Sequence, residues 1–173
     1  MKIDPWIEQN MALVPAAGLL LDLACGRGRH TEFALQQGLS VLAVDRDISS
    51  ISAQSPRLET LSYDLEAGSW PFPANFFDGI LVCNYLHRPL MPYLRSSLRA
   101  GGVLIYTTFM EGNEAYGKPS NPDYLLRENE LCETFGLGFA ELRFAQGPVN
   151  NPATAVRQSI CVRKDADNTI VSS

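Results

Sequence analysis

The chain is 173 residues long, 46% hydrophobic and 19% charged, with a formal net charge of −5 from 14 basic and 19 acidic residues. That length can bury a core of its own, and the acidic balance lacks the basic footprint on which nucleic-acid affinity rests, so an RNA or DNA partner is disfavoured. No apolar run approaches the ~20 residues that cross a bilayer, the first residues show no signal-peptide core, and Cys25, Cys83, Cys132 and Cys161 lack metal-ligand spacing. A cytoplasmic protein with reduced thiols, no metal and no membrane partner is expected.

Taken in chain order, residues 1–18 carry Trp6, Ile7, Met11 and Leu13 and predict a short amphipathic helix ending near Pro15, covering either a ligand or the sheet edge. Leu19 to Leu23 is an apolar strand carrying an acid, Asp22, near its tip. It turns through Cys25-Gly26-Arg27-Gly28 into a helix over Arg29 to Gln37, with Gly38 as its stop. Val41 to Asp45 is a second apolar strand ending in an acid. Asp47 or Ser49 could then cap a short helix through Ala53. Leu58 to Tyr63 and Gly79 to Cys83 read as the third and fourth strands, with Trp70-Pro71-Phe72-Pro73 in the loop between them.

Pro89 suits a first helical turn, Leu90, Leu94 and Leu98 give that helix one apolar face, and Gly101-Gly102 ends it before a fifth strand from Val103 to Phe109. Residues 110–123 form a long Gly- and Asn-rich loop of the length usual for a lid. Glu128 to Phe135 reads as helix, Phe139 to Phe144 and Val156 to Val162 as an antiparallel hairpin, and Asp165 to Ser173 as a polar tail. The expected division is one domain: a helical cover (1–18), a ligand-binding core (19–109), a lid (110–123), a C-terminal helix and hairpin (124–164) and a tail (165–173). Alternation of strand and helix predicts a three-layer αβα sandwich around a Rossmann-like, doubly wound, mostly parallel seven-stranded sheet, with ligands at the carboxyl ends of the strands. Asp22, Asp45, Asp64, Asn84 and Phe109 all fall at such ends.

The ligand class follows from charge. The position completing G-x-G-x-x-G is Thr31, so the third glycine of a dinucleotide fingerprint is missing. Asp22 beneath the loop would repel a pyrophosphate and favour an ammonium or sulfonium, while Asp45 can accept from both ribose hydroxyls. A cationic nucleoside without phosphates, S-adenosylmethionine, fits better than NAD.

Several motifs in order then resemble the class I S-adenosylmethionine-dependent methyltransferases: Leu21 to Gly28, Val44-Asp45, Tyr63-Asp64-Leu65, Phe77 to Asn84, and Leu98 to Ile105, where Ala100 stands at a position often proline. The stretch from Asn121 to Leu131 is similar to a small tellurite-resistance-type branch of that family. The resemblance implies a cofactor site formed by Asp22, Ala24, Cys25, Gly26, Gly28, Arg29, Asp45, Arg46, Asp64, Leu65, Cys83 and Asn84, with Gly26 and Gly28 as backbone floor, Asp45 on the ribose and Asp64 on the adenine amine. It also places acceptor-side residues after the fourth strand.

Methyl transfer from a sulfonium needs alignment above all, and a base only where the nucleophile must lose a proton. His87 is the candidate base and Tyr85 a pocket-lining partner. The alternative for His87 is a cap on the helix at Pro89; Arg88 and Arg127 are candidates to hold an anionic substrate; His30 reads as structural and Cys25 as a filler. The expected enzyme methylates a small molecule, a metabolite or soft oxyanion, as a monomer or homodimer. Its rivals are a methyltransferase docking RNA or protein through a partner subunit, and a non-catalytic cofactor-binding module.

Overall fold

A computed structural model describes residues 2–166. Seven strands form one sheet: β1 (Leu19–Leu23), β2 (Ser40–Asp45), β3 (Leu58–Ser62), β4 (Phe77–Cys83), β5 (Leu98–Phe109), β6 (Phe139–Val149) and β7 (Ala155–Lys164), in the order β3-β2-β1-β4-β5-β7-β6. The first five run parallel, and β7 inserts antiparallel between β5 and β6. This is the expected Rossmann-like methyltransferase architecture with its antiparallel C-terminal hairpin. β1 is flanked on both sides, which is why all but its first residue are buried and why its sequence is apolar apart from Asp22.

Helices cover both faces. On one side α1 (Pro5–Asn10) and α2 (Arg29–Gln36) bury Ile7, Met11, Ala34 and Leu35 against Leu20, Leu81, Ile105 and Cys161. On the other, α3 (Met91–Ser97) and α4 (Glu130–Thr134) bury Leu94, Leu131 and Phe135 against Leu21, Val82, Leu104 and Val162. Local chemistry sets the ends. Asp4 caps α1 by accepting from the Trp6 amide, with Pro5 in the first turn. Gly28 (φ +80°) launches α2 and Gly38 (φ +90°) leaves it. The expected face of Leu90, Leu94 and Leu98 is buried.

The details depart from expectation in four places. No helix follows β2: the Asp47 carboxylate accepts from the Ser49 amide in an Asx turn, and Ile51 turns in to pack at Gly28. The third helix stops at Ser97, and β5 begins at once at Leu98, well before Val103, with a register shift opposite Phe77 and Gly79 absorbing the extra residues. The helix expected over 128–135 shrinks to Glu130–Thr134 because Asn129 adopts φ +60°. Both hairpin strands run longer than predicted, leaving 150–154 as the connection. Residues 110–123 are pinned at their base. The Glu111 amide donates to the Leu126 carbonyl, and buried Asn113 accepts from the Val156 amide while donating to the Pro119 carbonyl. The tail beyond residue 166 lies outside the described residues.

Gly79 shows how tightly β1 and β4 close. A Cβ there would lie 2.7 Å from Leu20 Cδ1 and 2.8 Å from Val14 Cγ1. Gly79→Ala therefore overpacks a buried seam and is expected to cost about 1–3 kcal/mol, seen as a lower denaturant midpoint with unchanged slope.

Candidate active site

The turn after β1 is fixed to the end of β2 by two hydrogen bonds. The Cys25 amide donates to the Val44 carbonyl at 3.0 Å, and the Gly26 amide donates to Asp45 Oδ2 at 2.9 Å. Ala24 (φ +55°) and Gly26 (φ +56°) both take left-handed backbone, and a Cβ on Gly26 would meet no atom within 4 Å. The loop thus presents bare backbone to an open space.

Three cavities meet at the carboxyl ends of β1, β2, β4 and β5. The first, about 240 Å³, is lined by Asp45, Arg46, Tyr63, Asp64, Leu65 and Glu66. The second, about 400 Å³, is lined by Asp22, Gly26, Arg29, His30, Cys83 and Asn84. The third, about 260 Å³, lies between Tyr85, Leu86, Phe109 and Tyr124. They share walls: Ala24 joins the first and second, Asn84 the second and third, and Glu66 with Tyr85 the first and third.

Asp22 is 3% exposed and accepts from the Thr31 hydroxyl at 2.6 Å. Thr31, occupying the place of the third glycine, is what holds this carboxylate. Burial pushes the Asp22 carboxyl up to about 7, against the opposing pull of the Thr31 bond. Among the described residues no cation pairs with it. Burial likewise pushes the Cys25 and Cys83 thiols up to about 12, so neither is a nucleophile at neutral pH. His30 is lowered to about 4 by burial and Arg29, and its neutral Nε2 accepts from the Asp4 amide, which agrees with a structural part.

Asp45 and Asp64 are both engaged with backbone: Asp45 Oδ1 accepts from the Asp47 amide, and Asp64 Oδ1 accepts from the Glu66 and Ala67 amides. Tyr85 donates its hydroxyl to Glu66 Oε1 at 3.1 Å, and His87 Nδ1 lies 3.8 Å from the same oxygen. His87 makes no side-chain cap to the following turn. Of the expected cofactor-site and catalytic residues, Gly28 and His87 are not on the cavity walls, while the rest line one or more of them; Arg88 and Arg127, expected to hold an anionic substrate, line none.

Arg88 is not available to an anionic substrate. Its Nε and NH2 donate to both oxygens of buried Glu130 at 2.8 and 2.9 Å, and its remaining bonds go to the Asp123 and Leu125 carbonyls. It clasps the 110–125 segment to α4. Sequence reasoning missed Glu66, although it stands two residues past Asp64. It also missed Lys2 and Arg27 on the second cavity and Tyr124 on the third, which no spacing marks. Lys2 is held there by Nζ to Asn151 Oδ1 and by its carbonyl accepting from Arg29, while Asp4 lies 3.6 Å from buried Arg157.

Residues 21–105 match the family model described as Methyltransferase domain. The malonyl-[acyl-carrier protein] O-methyltransferase of Paenibacillus sp. (strain JDR-2) is 31% identical over 60% of this chain and 43% of its own, so the chain spans less than half the length of that curated relative. Among solved structures, TehB from Haemophilus influenzae superposes with a TM-score of 0.73 at 17% identity, covering 94% of this chain and 63% of TehB. A Burkholderia thailandensis 1,6-didemethyltoxoflavin-N1-methyltransferase with bound 1,6-didemethyltoxoflavin and S-adenosylhomocysteine superposes at 0.64 and 19% identity, covering 94% of this chain and 80% of that one. Residues 21–105 thus match a methyltransferase domain, and the sheet order is that of the fold shared by the solved methyltransferase structures.

Proposed function

We propose that this chain transfers a methyl group from S-adenosylmethionine to a small-molecule acceptor. The observation that carries the reading is Asp22, a buried carboxylate without a cationic partner among the described residues, on the wall of the cavity between the other two. A buried charge without a partner is costly, so the site favours a ligand that brings a positive charge. The donor set fits this cofactor. Asp22 and Arg29 would hold the ammonium and carboxylate of its methionine part over the bare Gly26 backbone. Asp45, with acceptor capacity beyond its two amide bonds, would take the ribose hydroxyls. Asp64 Oδ2 would take the adenine amine, beside Leu65 and Tyr63.

When bound, S-adenosylmethionine supplies a methyl group on sulfonium that a nucleophile can displace directly. The chain's own work is alignment and, for a protic acceptor, proton removal. Tyr85 and Asn84 form the partition between the cofactor cavities and the third. His87, with its Nδ1 3.8 Å from Glu66 Oε1, is the residue proposed to take that proton. The third cavity, about 260 Å³, suits a small acceptor. The structural neighbour named for 1,6-didemethyltoxoflavin supports that reading.

Calorimetric titration with S-adenosylhomocysteine, with NAD in parallel, tests the reading: uptake of the first and not the second is expected, and the reverse overturns it. Asp45→Ala is expected to weaken that uptake about ten- to a hundredfold, and Asp45→Asn, which keeps an oxygen for the Gly26 amide, less.

The pH dependence has a definite sign. Only ionised Asp22 pairs with a cation, so affinity falls as pH drops below about 7, approaching tenfold per unit, and Asp22→Asn flattens the profile at the weak limit. In an acceptor screen, His87→Ala should leave cofactor affinity unchanged and lower kcat about a hundredfold; normal kcat removes His87 from the chemistry.

A further inference from the structure

The third cavity has a chemical character of its own. Its walls include Tyr85, Leu86, Phe109, Pro119 and Tyr124, and its single ionic side chain is Glu66. The cations nearest to it are committed elsewhere. Arg88 is locked onto Glu130 and two carbonyls. Arg157 lies over the Phe109 ring, 4.7 Å from its centroid, with its charge answered by Asp4 at 3.6 Å and its NH2 bonded to the Thr107 hydroxyl. Lys118 and Arg127 are exposed and form no part of the wall. His87 faces the Glu66 carboxylate itself.

Glu66 is about half exposed and receives the Tyr85 hydroxyl as a donor, so its carboxylate retains acceptor sites beyond that bond on a residue that lines the cavity. Flat apolar walls with one carboxylate recognise a ring carrying a positive or hydrogen-bond-donating group. They reject a carboxylate or oxyanion, which would meet Glu66 with no cation to offset it.

Resting on the methyltransferase reading above, we infer that Glu66 selects the acceptor, and that the third cavity takes an aromatic molecule bearing an ammonium or other donor group and excludes anionic acceptors. This is the opposite preference from the soft oxyanion that the sequence resemblance hinted at. Glu66 is a specificity residue in this account, reading charge across a cavity it shares with the cofactor side.

Three probes of one shape test it: tyramine, para-cresol and para-hydroxyphenylacetate, titrated calorimetrically into protein saturated with S-adenosylhomocysteine. Tyramine should bind most tightly, para-cresol less, and para-hydroxyphenylacetate weakest, with at least about a tenfold span between the charged pair. Glu66→Gln, on an exposed turn where folding is not at stake, should bring tyramine and para-cresol to the same affinity. Equal or tighter binding of the carboxylate, retention of the tyramine preference by Glu66→Gln, or no binding of any probe to the loaded protein overturns the inference. Failure to take up S-adenosylhomocysteine in the first place is a separate result, and overturns the methyltransferase reading together with the inference built on it.

Discussion

The short bridge between the Gly26 amide and the Asp45 carboxylate is the constraint on which the rest of the site depends. It joins the loop after β1 to the tip of β2, and with the Cys25–Val44 bond beside it the loop cannot drift from the sheet. Because that loop is fixed, Gly28 can start α2 in left-handed backbone, and α2 in turn delivers Thr31 to Asp22. One charge-assisted bond therefore sets the floor of two cavities and the position of a buried acid.

What could be read in the sequence was what local rules govern. Apolar runs bounded by glycines gave the parallel strands, and the acids at their tips pointed to the strand ends at which the cavities lie. Thr31 was visible as a missing glycine, while its bond to Asp22 was not, because that pairing depends on how α2 lies against β1. Glu66 went unseen for a similar reason. It follows Asp64 in an ordinary-looking turn, and only the approach of Tyr85 and His87 from the far side of β4 makes it a shared wall.

Arg88 teaches the converse. An arginine just past the fourth strand invites a substrate role, yet here it closes a buried pair with Glu130, forty-two residues on. The absence of a local partner in the sequence is no guide to whether a charge is available, since tertiary partners arrive from elements that spacing cannot relate. The helix that failed to form after β2 makes the same point on a smaller scale: Asp47 had the right identity to cap it and found a turn amide instead.

The pairing of Asp4 with Arg157 has a bearing on how the protein comes into being. Lys2 completes a wall of the largest of the three cavities, and the segment that carries it is held by the hairpin, through Arg157 beside Asp4 and through Asn151 in the connection. Lys2 and Asn151 are 149 residues apart in the chain, so this piece of wall is set only once the hairpin has folded, and a change in the hairpin connection is felt at the mouth of a cavity on the far side of the sheet order.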